Sequence, residues 1–371
     1  MEQSAPPGVD IDTRLSGRFE DMKRQLKTYI YQRWIVLCFL SCSMTLLITR
    51  NGLPPPMKSP VKEDTGWNIR IRTTTENKFT PTTPRPTYHF DIPDTYQYIL
   101  CAVLHGGMGN QMFQLASLYA LAAKKGMYAI IDSNNSLTNV FKLDVNMMDN
   151  FNSICETLPT KEEILDCGYD ESLDTFQPDA HYRVKDYLQS WKYFYNYTTI
   201  LRKQFTFHNS ITETRNSIIK SILKKYYFKS RAEVTLIGVH VRRGDIVNNS
   251  FGYRAASPSY LEKGVRYFQL KRLKNPIFVI CSNDMDWTKK HMIKGIRSEY
   301  ITGHSEGVDM AVLGGCDHII SSTGTFGWWS SWLTSGEVTF YQWPAQEGSP
   351  LRKQFSKDYT DFFYPGWVGF S

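Results

Sequence analysis

The segment VTLIGVHVRRGDIV, residues 234–247, decides the fold class of this chain. Its first half is an apolar run rich in β-branched residues, which is typical of a strand buried on both faces of a parallel sheet. The run ends in polar and charged residues: His240, Arg242, Arg243 and Asp245. Because Gly244 permits a sharp turn and ligands of open α/β sheets bind beyond the carboxyl ends of the strands, this turn is predicted to face a ligand. Two guanidinium groups favour a phosphate or diphosphate there, and a pair of solvated surface charges is the alternative.

Strands and helices alternate from residue 96 onward. A buried strand at 98–104 leads through a glycine-rich turn into an alanine-rich helix, which Gly126 is predicted to end, and a second strand follows at 127–131. Further strands are predicted at 234–241, 277–281, 318–321 and 338–341, with helices at 259–272, 287–296, 308–313 and after 324. The middle segment is mixed and aromatic, and the tail from 344 is predicted to be irregular. This alternation predicts an α/β fold with largely parallel strands in two Rossmann-like halves, at about 96–230 and 231–371.

Two other strand-to-helix turns carry candidate ligand-binding residues. In GGMGNQ, residues 106–111, glycines let the backbone approach a ligand and the helix start offers unpaired N–H groups to an anion. An ordinary turn in which Asn110 caps the helix is the alternative. In the second turn, Ser322, Thr323 and Thr325 open an aromatic helix and form another anion cradle, or an ordinary helix cap above a tryptophan core.

The segment SNDMDW, residues 282–287, contains a DxD pattern, which many sugar transferases use to bind a metal. Because the same pattern occurs at Asp10-Ile11-Asp12 near the N-terminus, it carries little weight, and we predict no metal site. Ser282 and Asn283 are interpreted as loop formers or nucleotide contacts. Asp309 is interpreted as a hydrogen-bond partner of a base or ribose, or as a helix cap.

An uncharged segment of 16 residues, WIVLCFLSCSMTLLIT at 34–49, precedes the folded body. A spanning helix needs about 20 apolar residues, and flanking arginine and aromatic side chains can make up the difference. The 20 residues before it contain six Lys and Arg, against three in the 20 after it, so residues 1–33 are predicted to be a cytosolic tail. The Pro- and Thr-rich segment 50–95 is predicted to be a disordered stem. A cleaved signal peptide is the alternative, and a stalked receptor would share this layout.

A luminal body would be oxidised and glycosylated. Cys155 and Cys167 flank a short polar stretch and are predicted to form a disulfide, whereas Cys281 and Cys316 lie beside apolar strands and are predicted to be buried thiols. Three sequons predict N-glycosylation, at Asn134, Asn196 and Asn248.

The net charge is +7 over 371 residues. This modest excess suits an anionic substrate, but it lacks the concentrated basic face of a nucleic-acid-binding protein. The sequence therefore predicts no nucleic-acid partner.

Taken together, four segments resemble the α-1,2-fucosyltransferases: GGMGNQMFQLASLYALA (106–122), HVRRGD (240–245), SNDMDW (282–287) and STGTFGWWSSWL (322–333). Members of that family are single-pass type II Golgi membrane enzymes that move L-fucose from GDP-β-L-fucose to the 2-hydroxyl of a terminal galactoside. The resemblance implies a GT-B-like arrangement of the two halves, a galactose-containing glycan acceptor and an inverting reaction that forms an α-1,2 linkage. It also implies that the enzyme is metal-independent and needs no cofactor besides the donor. A homodimer is left open.

The resemblance also implies roles for the motif residues. Arg242 would hold the diphosphate, with Arg243 beside it. His240 and Asp245 would fix the loop, and each of these two residues is also a candidate general base. The remaining implied donor contacts are Gly107, Gly109, Asn110, Gln111, Ser322, Thr323, Thr325 and Phe326, together with Ser282, Asn283 and Asp309.

Two alternatives stay open. One is a luminal transferase that uses another nucleotide sugar or a sulfonate donor. The other is a membrane-tethered glycan-binding protein that has kept the fold and lost turnover, although such a protein has no need of a diphosphate clamp. The acceptor and the identity of the general base are not determined by the sequence.

Overall fold

The computed structural model describes residues 71–73, 88–90 and 92–371. The predicted tail, the predicted membrane span at 34–49 and most of the predicted stem lie outside these residues. Within the described residues, no helix combines the length and the apolar character that crossing a membrane requires.

The strands of the described residues form three sheets. They are β1 (Ile71–Thr73), β2 (Tyr88–Phe90), β3 (Ile99–Cys101), β4 (Tyr128–Asp132), β5 (Asn146–Met148), β6 (Thr160–Glu162), β7 (Tyr182–Lys185), β8 (Thr235–Val241), β9 (Pro276–Ser282), β10 (Ser298–Ile301), β11 (His318–Ser321), β12 (Val338–Tyr341) and β13 (Val368–Phe370). Strands β1 and β2 form an antiparallel pair, and all other strand pairs are parallel.

The α-helices of the described residues lie between these strands. They are α1 (Met108–Lys125), α2 (Asn152–Cys155), α3 (Glu171–Thr175), α4 (Thr198–Gln204), α5 (Asn209–Lys225), α6 (Pro258–Gln269), α7 (Met285–His291), α8 (Glu306–Gly314) and α9 (Thr325–Leu333).

The first large sheet has five strands in the order β5-β4-β3-β7-β6. The chain starts in the middle at β3, moves outward to β4 and β5, and then fills the other side of β3 with β6 and β7. The direction of winding therefore reverses between β3 and β7, and such a switch point is where open α/β sheets leave a crevice for a ligand.

The second large sheet has six strands in the order β10-β9-β8-β11-β12-β13. It begins in the middle at β8, the strand of the opening sequence motif, and its winding reverses between β8 and β11. This is the strand order of dinucleotide-binding Rossmann domains. The prediction of an α/β fold with parallel sheets is confirmed.

Several predicted elements have the expected limits. Helix α1 ends at Lys125, and Gly126 takes φ +61°, the left-handed conformation of a glycine that ends a helix. Helix α6 begins at Pro258, within one residue of the predicted start, after a cap in which the Ser257 hydroxyl accepts a hydrogen bond from the Tyr260 N–H. It ends at Gln269 rather than near 272. Strands β11 and β12 have the predicted bounds.

Other elements differ from the prediction. The middle segment contains the short strands β5, β6 and β7, each three or four residues long, and strand β10 follows α7, which ends at His291 rather than near 296. The tail from 344 is mostly irregular, but β13 adds a parallel edge strand to the second sheet. Strands this short carry too few residues for an alternating pattern to be recognised.

The disulfide prediction is wrong. Cys155 is bonded to Cys101, because the short helix α2 packs beside the end of β3, where both cysteines are buried. Cys167 is a buried free thiol whose sulfur lies 3.3 Å from the Gln189 side-chain oxygen. Cys281 and Cys316 are buried free thiols, as predicted.

The helices α1 and α9 pack the two sheets onto one core. Phe113 of α1 contacts Trp328 and Trp329 of α9, with ring centroids 4.5 and 5.1 Å apart. These tryptophans are at most 2% exposed, so the interpretation of the aromatic helix as core is confirmed. Because each of these helices follows the first strand on one side of a switch point, the contact brings the two crevices together.

Candidate active site

A single cleft lies where the two switch points meet, with a cavity volume of about 240 Å³. The first half contributes Asn110, Asp166, Cys167, Tyr187 and Gln189. The second half contributes Arg242, Phe251, Tyr253, Thr323, Gly324 and Thr325, with Pro344, Leu351, Gln354, Phe355 and Phe362 from the C-terminal tail. Both halves and the tail therefore build one site.

Arg242 is the one cationic side chain among the described residues that line this cleft. Its Nε and Nη2 donate hydrogen bonds to the Asp245 carboxylate at 3.2 and 2.5 Å, and its guanidinium lies 5.6 Å from the centre of the Tyr253 ring. The remaining nitrogen, Nη1, has no acceptor among the described residues and packs against Gly324, where an added Cβ would lie 2.7 Å from it. The arginine is thus oriented from one side, with donors left for a ligand.

Gly324 is required by this arrangement. It takes φ +114° immediately before α9, a conformation that L-residues with side chains rarely adopt. The turn places the unpaired N–H groups at the start of α9 beside the Arg242 guanidinium. A helix start and an arginine together form a binding site for an anion.

Asp245 holds Arg242 and does not line the cleft. The Arg242 guanidinium holds the pKa of this carboxyl below its usual range, and the Asn283 amide adds a hydrogen bond of 3.2 Å to it. An ionised carboxylate whose oxygens accept from an arginine is a weak proton acceptor. The candidate role of Asp245 as general base is therefore not supported.

His240 is buried beneath the cleft. Its Nδ1 lies 3.2 Å from the Ser322 hydroxyl, which also accepts a hydrogen bond of 2.8 Å from the Arg242 backbone N–H. Burial, with a smaller effect from Arg242, lowers the pKa of His240 to about 3. The ring is neutral and out of reach of a substrate, so His240 and Ser322 position the arginine loop. Neither the general-base role of His240 nor a ligand contact by Ser322 is supported.

Arg243 points away from the cleft. Its guanidinium stacks 3.8 Å from the centre of the Trp287 ring and donates to the Ala256 carbonyl oxygen at 3.2 Å. Its backbone N–H donates to the Asn283 side chain at 2.8 Å. The two adjacent arginines of the motif therefore have different roles, and only Arg242 faces the site.

The glycine-rich turn and the second cradle are in direct contact. The Thr325 hydroxyl donates to the Asn110 side-chain oxygen at 2.6 Å, and Gln189 donates to the same oxygen at 3.3 Å. Asn110 does not cap α1, because the residue at that position is Gly107. A Cβ on Gly109 would lie 2.6 Å from the backbone of both Thr325 and Phe326, so glycine permits this close approach.

Of the remaining predicted contacts, Thr323 lines the cleft, whereas Phe326, Gln111 and Gly107 do not. Thr323 donates from its hydroxyl to the Arg254 carbonyl oxygen at 2.6 Å, and Phe326 stacks on His240 with ring centroids 5.5 Å apart. Gln111 bridges the Gly106 carbonyl oxygen and the Ser136 hydroxyl at 2.9 and 3.0 Å. Gly107 is exposed, and nothing would contact a Cβ added there.

The DxD segment builds a helix cap. Asp284 accepts from the Trp287 N–H at 3.2 Å, and Ser282 accepts from the Asp284 N–H at 3.0 Å. Within the part of the chain that the structure describes, no three acidic, cysteine or histidine side chains are grouped as metal ligands. Asp309 lies in the first turn of α8, and one oxygen is buried without a partner, so burial raises its pKa to about 6.

Comparisons with known proteins identify the family of this chain. A model of glycosyl transferase family 11 matches residues 91–371. The chain belongs to glycosyl transferase family 11. It is similar to galactoside alpha-(1,2)-fucosyltransferase 2 of Sus scrofa, with 29% identity over 71% of this chain and 77% of that protein. It is also similar to galactoside 2-alpha-L-fucosyltransferase Sec1 of Mus musculus, with 28% identity over 71% and 72%.

Among solved structures, this family 11 chain is similar to NodZ alpha-1,6-fucosyltransferase soaked with GDP-fucose. The identity is 14%, the TM-score is 0.49, and the match covers 67% of this chain and 98% of that one. The relatives confirm the resemblance to the α-1,2-fucosyltransferases, and this family 11 chain is an enzyme of the glycosyltransferase class.

The sequence interpretation of this family 11 enzyme found Asn110 in the first half but missed the contribution of the middle segment. Asp166, Tyr187 and Gln189 line the cleft but come from the middle segment, which showed no recognisable motif. Asp186 and Leu188 flank Tyr187 with φ of +80° and +53°, and leucine gives no sequence signal for a left-handed turn. Glu163 stabilises this turn, because its carboxyl accepts from the Leu188 N–H at 2.7 Å.

All three predicted glycosylation sites are exposed in the family 11 body. Asn134 follows β4, Asn196 precedes α4, and Asn248 lies three residues beyond Asp245 with φ +57°. Their exposure leaves each side chain accessible, and their glycosylation stays a prediction.

Proposed function

We propose that this family 11 enzyme transfers L-fucose from GDP-β-L-fucose to the 2-hydroxyl of a terminal galactoside on a glycan. The reaction inverts the anomeric centre and forms an α-1,2 linkage. The names of its relatives support the sugar, the acceptor and the linkage.

One observation carries the proposal. The Arg242 side chain is fixed by Asp245 on one side and has a nitrogen without an acceptor, among the described residues, on the other. That nitrogen lies at the start of α9, at the switch point of a sheet with the strand order of nucleotide-binding domains. A diphosphate is the ligand that matches a guanidinium beside a helix start.

The same arrangement supports catalysis of fucosyl transfer. As the bond from the anomeric carbon to the diphosphate breaks, negative charge grows on the departing GDP. Donors that are already in place stabilise that charge more in the transition state than in the ground state. In this proposal Arg242 and the α9 N–H groups supply the stabilisation, and the transfer needs no metal.

The first half would take the acceptor. Its lining residues are two amides, a tyrosine, a thiol and one carboxylate, and no cation lies among them. A neutral glycan matches hydroxyl-binding amides and an aromatic ring better than it matches an arginine cluster.

We further propose that the enzyme is a single-pass type II Golgi membrane protein with a luminal catalytic body. The support is the uncharged segment 34–49, the asymmetry of Lys and Arg around it and the three sequons. A homodimer stays open.

The test is a transfer assay with the full-length protein, GDP-fucose and a panel of galactosides, with and without a chelator. We expect a fucosylated product whose linkage is α-1,2 by NMR, formed equally in both conditions. Transfer only from a different nucleotide sugar would favour the alternative transferase. Galactoside binding without GDP release would favour a glycan-binding protein and overturn the proposal.

A further inference from the structure

We propose that Asp166 is the general base that removes the proton from the acceptor hydroxyl. This inference rests on the proposed function, because it assigns a residue to the step that the motif residues leave unfilled. In that step the acceptor oxygen forms a bond to the anomeric carbon while the carboxylate takes its proton. The bond from that carbon to the diphosphate breaks, and its electron pair leaves with GDP.

The position of Asp166 supports this role. It is the only carboxylate among the described residues that line the cleft, and it comes from the first half of the molecule, whereas Arg242 comes from the second. A base and a leaving-group site on opposite walls are what an inverting displacement requires, since the acceptor attacks from the face opposite the departing diphosphate.

The backbone of Asp166 is held from two sides. Its N–H donates to the Gln354 side chain at 3.2 Å, and its carbonyl oxygen accepts from the Gln189 N–H at 3.0 Å. Gln354 belongs to the C-terminal tail and Gln189 to the strained turn after β7. The tail and the turn therefore fix the residue at the seam of the two halves, while its carboxylate accepts no hydrogen bond from the described residues.

The other titratable groups of the site are poor candidates. His240 is buried and neutral, and both Asp245 oxygens accept from Arg242. Burial raises the pKa of the Cys167 thiol well above its ordinary value and raises that of Tyr253, so both keep their protons near neutral pH. By contrast, an aspartate side chain such as that of Asp166 is ionised near neutral pH and can accept a proton.

The environment of Asp166 makes it a stronger base than an exposed aspartate. Partial burial, with a smaller effect from the Asp186 carboxylate, raises its pKa. Glu163 and Cys167 are the other titratable groups that interact with it, and burial raises the pKa of each, which keeps them neutral. A base is more effective as its pKa approaches the working pH, provided that it stays ionised.

The test compares Asp166→Asn with Asp186→Asn in the full-length protein. Asp186 is the adjacent carboxylate, does not line the cleft and takes φ +80°, which asparagine tolerates. We expect Asp166→Asn to lower kcat by a factor on the order of 10²–10⁴, with the Kd for GDP unchanged. The decrease of kcat/KM at acidic pH, the acidic limb of the pH profile, should disappear because the variant has no base to protonate. We expect Asp186→Asn to keep kcat within a few-fold and to move that limb to lower pH, because it removes a negative charge near the base.

A second measurement separates proton removal from a structural role. Azide carries no proton, so it can attack the anomeric carbon without a base, forming a carbon–nitrogen bond as the electron pair leaves with GDP. We expect azide to restore GDP release by Asp166→Ala and to yield α-fucosyl azide. A merely misfolded variant would not respond.

The outcomes are distinct. The inference alone is overturned if the wild-type protein transfers fucose and Asp166→Asn has the same kcat. It is also overturned if the kcat/KM of this variant still decreases at acidic pH as that of the wild type does. Asp166→Ala that loses transfer and GDP binding together, without an azide response, also overturns it. A wild-type protein that releases no GDP from GDP-fucose overturns the proposed function and this inference with it.

Discussion

The two switch points of the molecule both arise where the winding of a sheet reverses beside its first strand, but they have opposite chemistry. In the second half, the crevice contains Arg242, a hydroxyl-lined turn and the start of α9, all of which favour an anion. In the first half, the crevice contains Asp166, Tyr187 and Gln189, which favour a neutral molecule with hydroxyl groups. The comparison teaches that the same reversal of winding places both crevices, while side-chain charge distinguishes them. In the proposed function, the second half is the donor side and the first half is the acceptor side.

One sharp turn beside the cleft in each half shows a further difference. The second half uses Gly324, for which a positive φ costs little. In the first half, Asp186 and Leu188 take positive φ values, and the buried Glu163 carboxyl stabilises their turn. Backbone strain of this kind persists where surrounding contacts hold the chain in an unfavourable conformation, and it is concentrated at functional sites.

The largest expected effect concerns the cross-link of the first half. The Cys101–Cys155 disulfide closes a loop with a sequence separation of 54, whereas the second half has only the free thiols Cys281 and Cys316 among its described cysteines. We expect replacement of both bonded cysteines by serine to lower the free energy of unfolding by about 4 kcal/mol, because the unfolded chain regains the loop entropy. Denaturant unfolding would measure the loss.

Replacement of Cys316 by alanine is the control for that variant, since this thiol is buried and unbonded. A smaller loss for the double variant than for the control would contradict the assignment of the cross-link.

Arg242→Ala tests the donor side. We expect turnover to fall by on the order of 10²–10³, equivalent to about 3–4 kcal/mol of transition-state stabilisation, as when an oxyanion donor is removed. Steady-state kinetics with GDP-fucose would measure it. Unchanged kcat would remove Arg242 from the mechanism.

Gly109→Ala tests the contact between the two crevices. An added Cβ would meet the backbone of Thr325 and Phe326 at 2.6 Å, so the helices α1 and α9 must separate. We expect a loss of about 1–3 kcal/mol in the free energy of unfolding, as for other overpacked sites, together with lower activity. Gly107→Ala is the folding control, because nothing lies within 4 Å of a Cβ there. Equal stability of the two variants would contradict the packing.

A further expected effect is the pH dependence that Glu163 gives the first half. Burial raises the pKa of Glu163 to about 9, opposed by hydrogen bonds from Tyr193 and Leu188, and the Asp166 and Asp186 carboxylates add to the increase. The folded protein therefore keeps a proton that the unfolded chain loses near its ordinary carboxyl pKa. It follows that the free energy of unfolding decreases as pH rises from that value toward 9.

Glu163→Gln cannot ionise, so we expect its free energy of unfolding to decrease less over this range. Thermal unfolding of both proteins at several pH values would measure the difference. A parallel pH dependence in the two proteins would show that Glu163 does not bind this proton.

The second half was largely predictable from the sequence, and the reason is local. Strand β8 is seven residues long, apolar and directly followed by the arginine loop, so its pattern and its ligand-facing end are both visible in one segment. The helix cap at Ser257 is likewise a local signal.

The first half was less predictable because its site is built by tertiary contacts. Strands β5, β6 and β7 have three or four residues, and the turn at Asp186–Leu188 contradicts the intrinsic preference of leucine. Cys101 bonds to Cys155 because β3 and α2 are neighbours in space, which spacing does not reveal. Similarly, nothing local distinguishes Arg242, which faces the cleft, from Arg243, which stacks on Trp287.

The division into a donor side and an acceptor side is tested most directly by the affinities of GDP and guanosine for wild type, Arg242→Ala and Arg243→Ala. Titration calorimetry on the full-length proteins would give each Kd. We predict that wild type and Arg243→Ala both prefer GDP to guanosine, and that Arg242→Ala loses most of this preference while it still binds guanosine. An Arg242→Ala variant that keeps the wild-type preference for GDP would contradict the account.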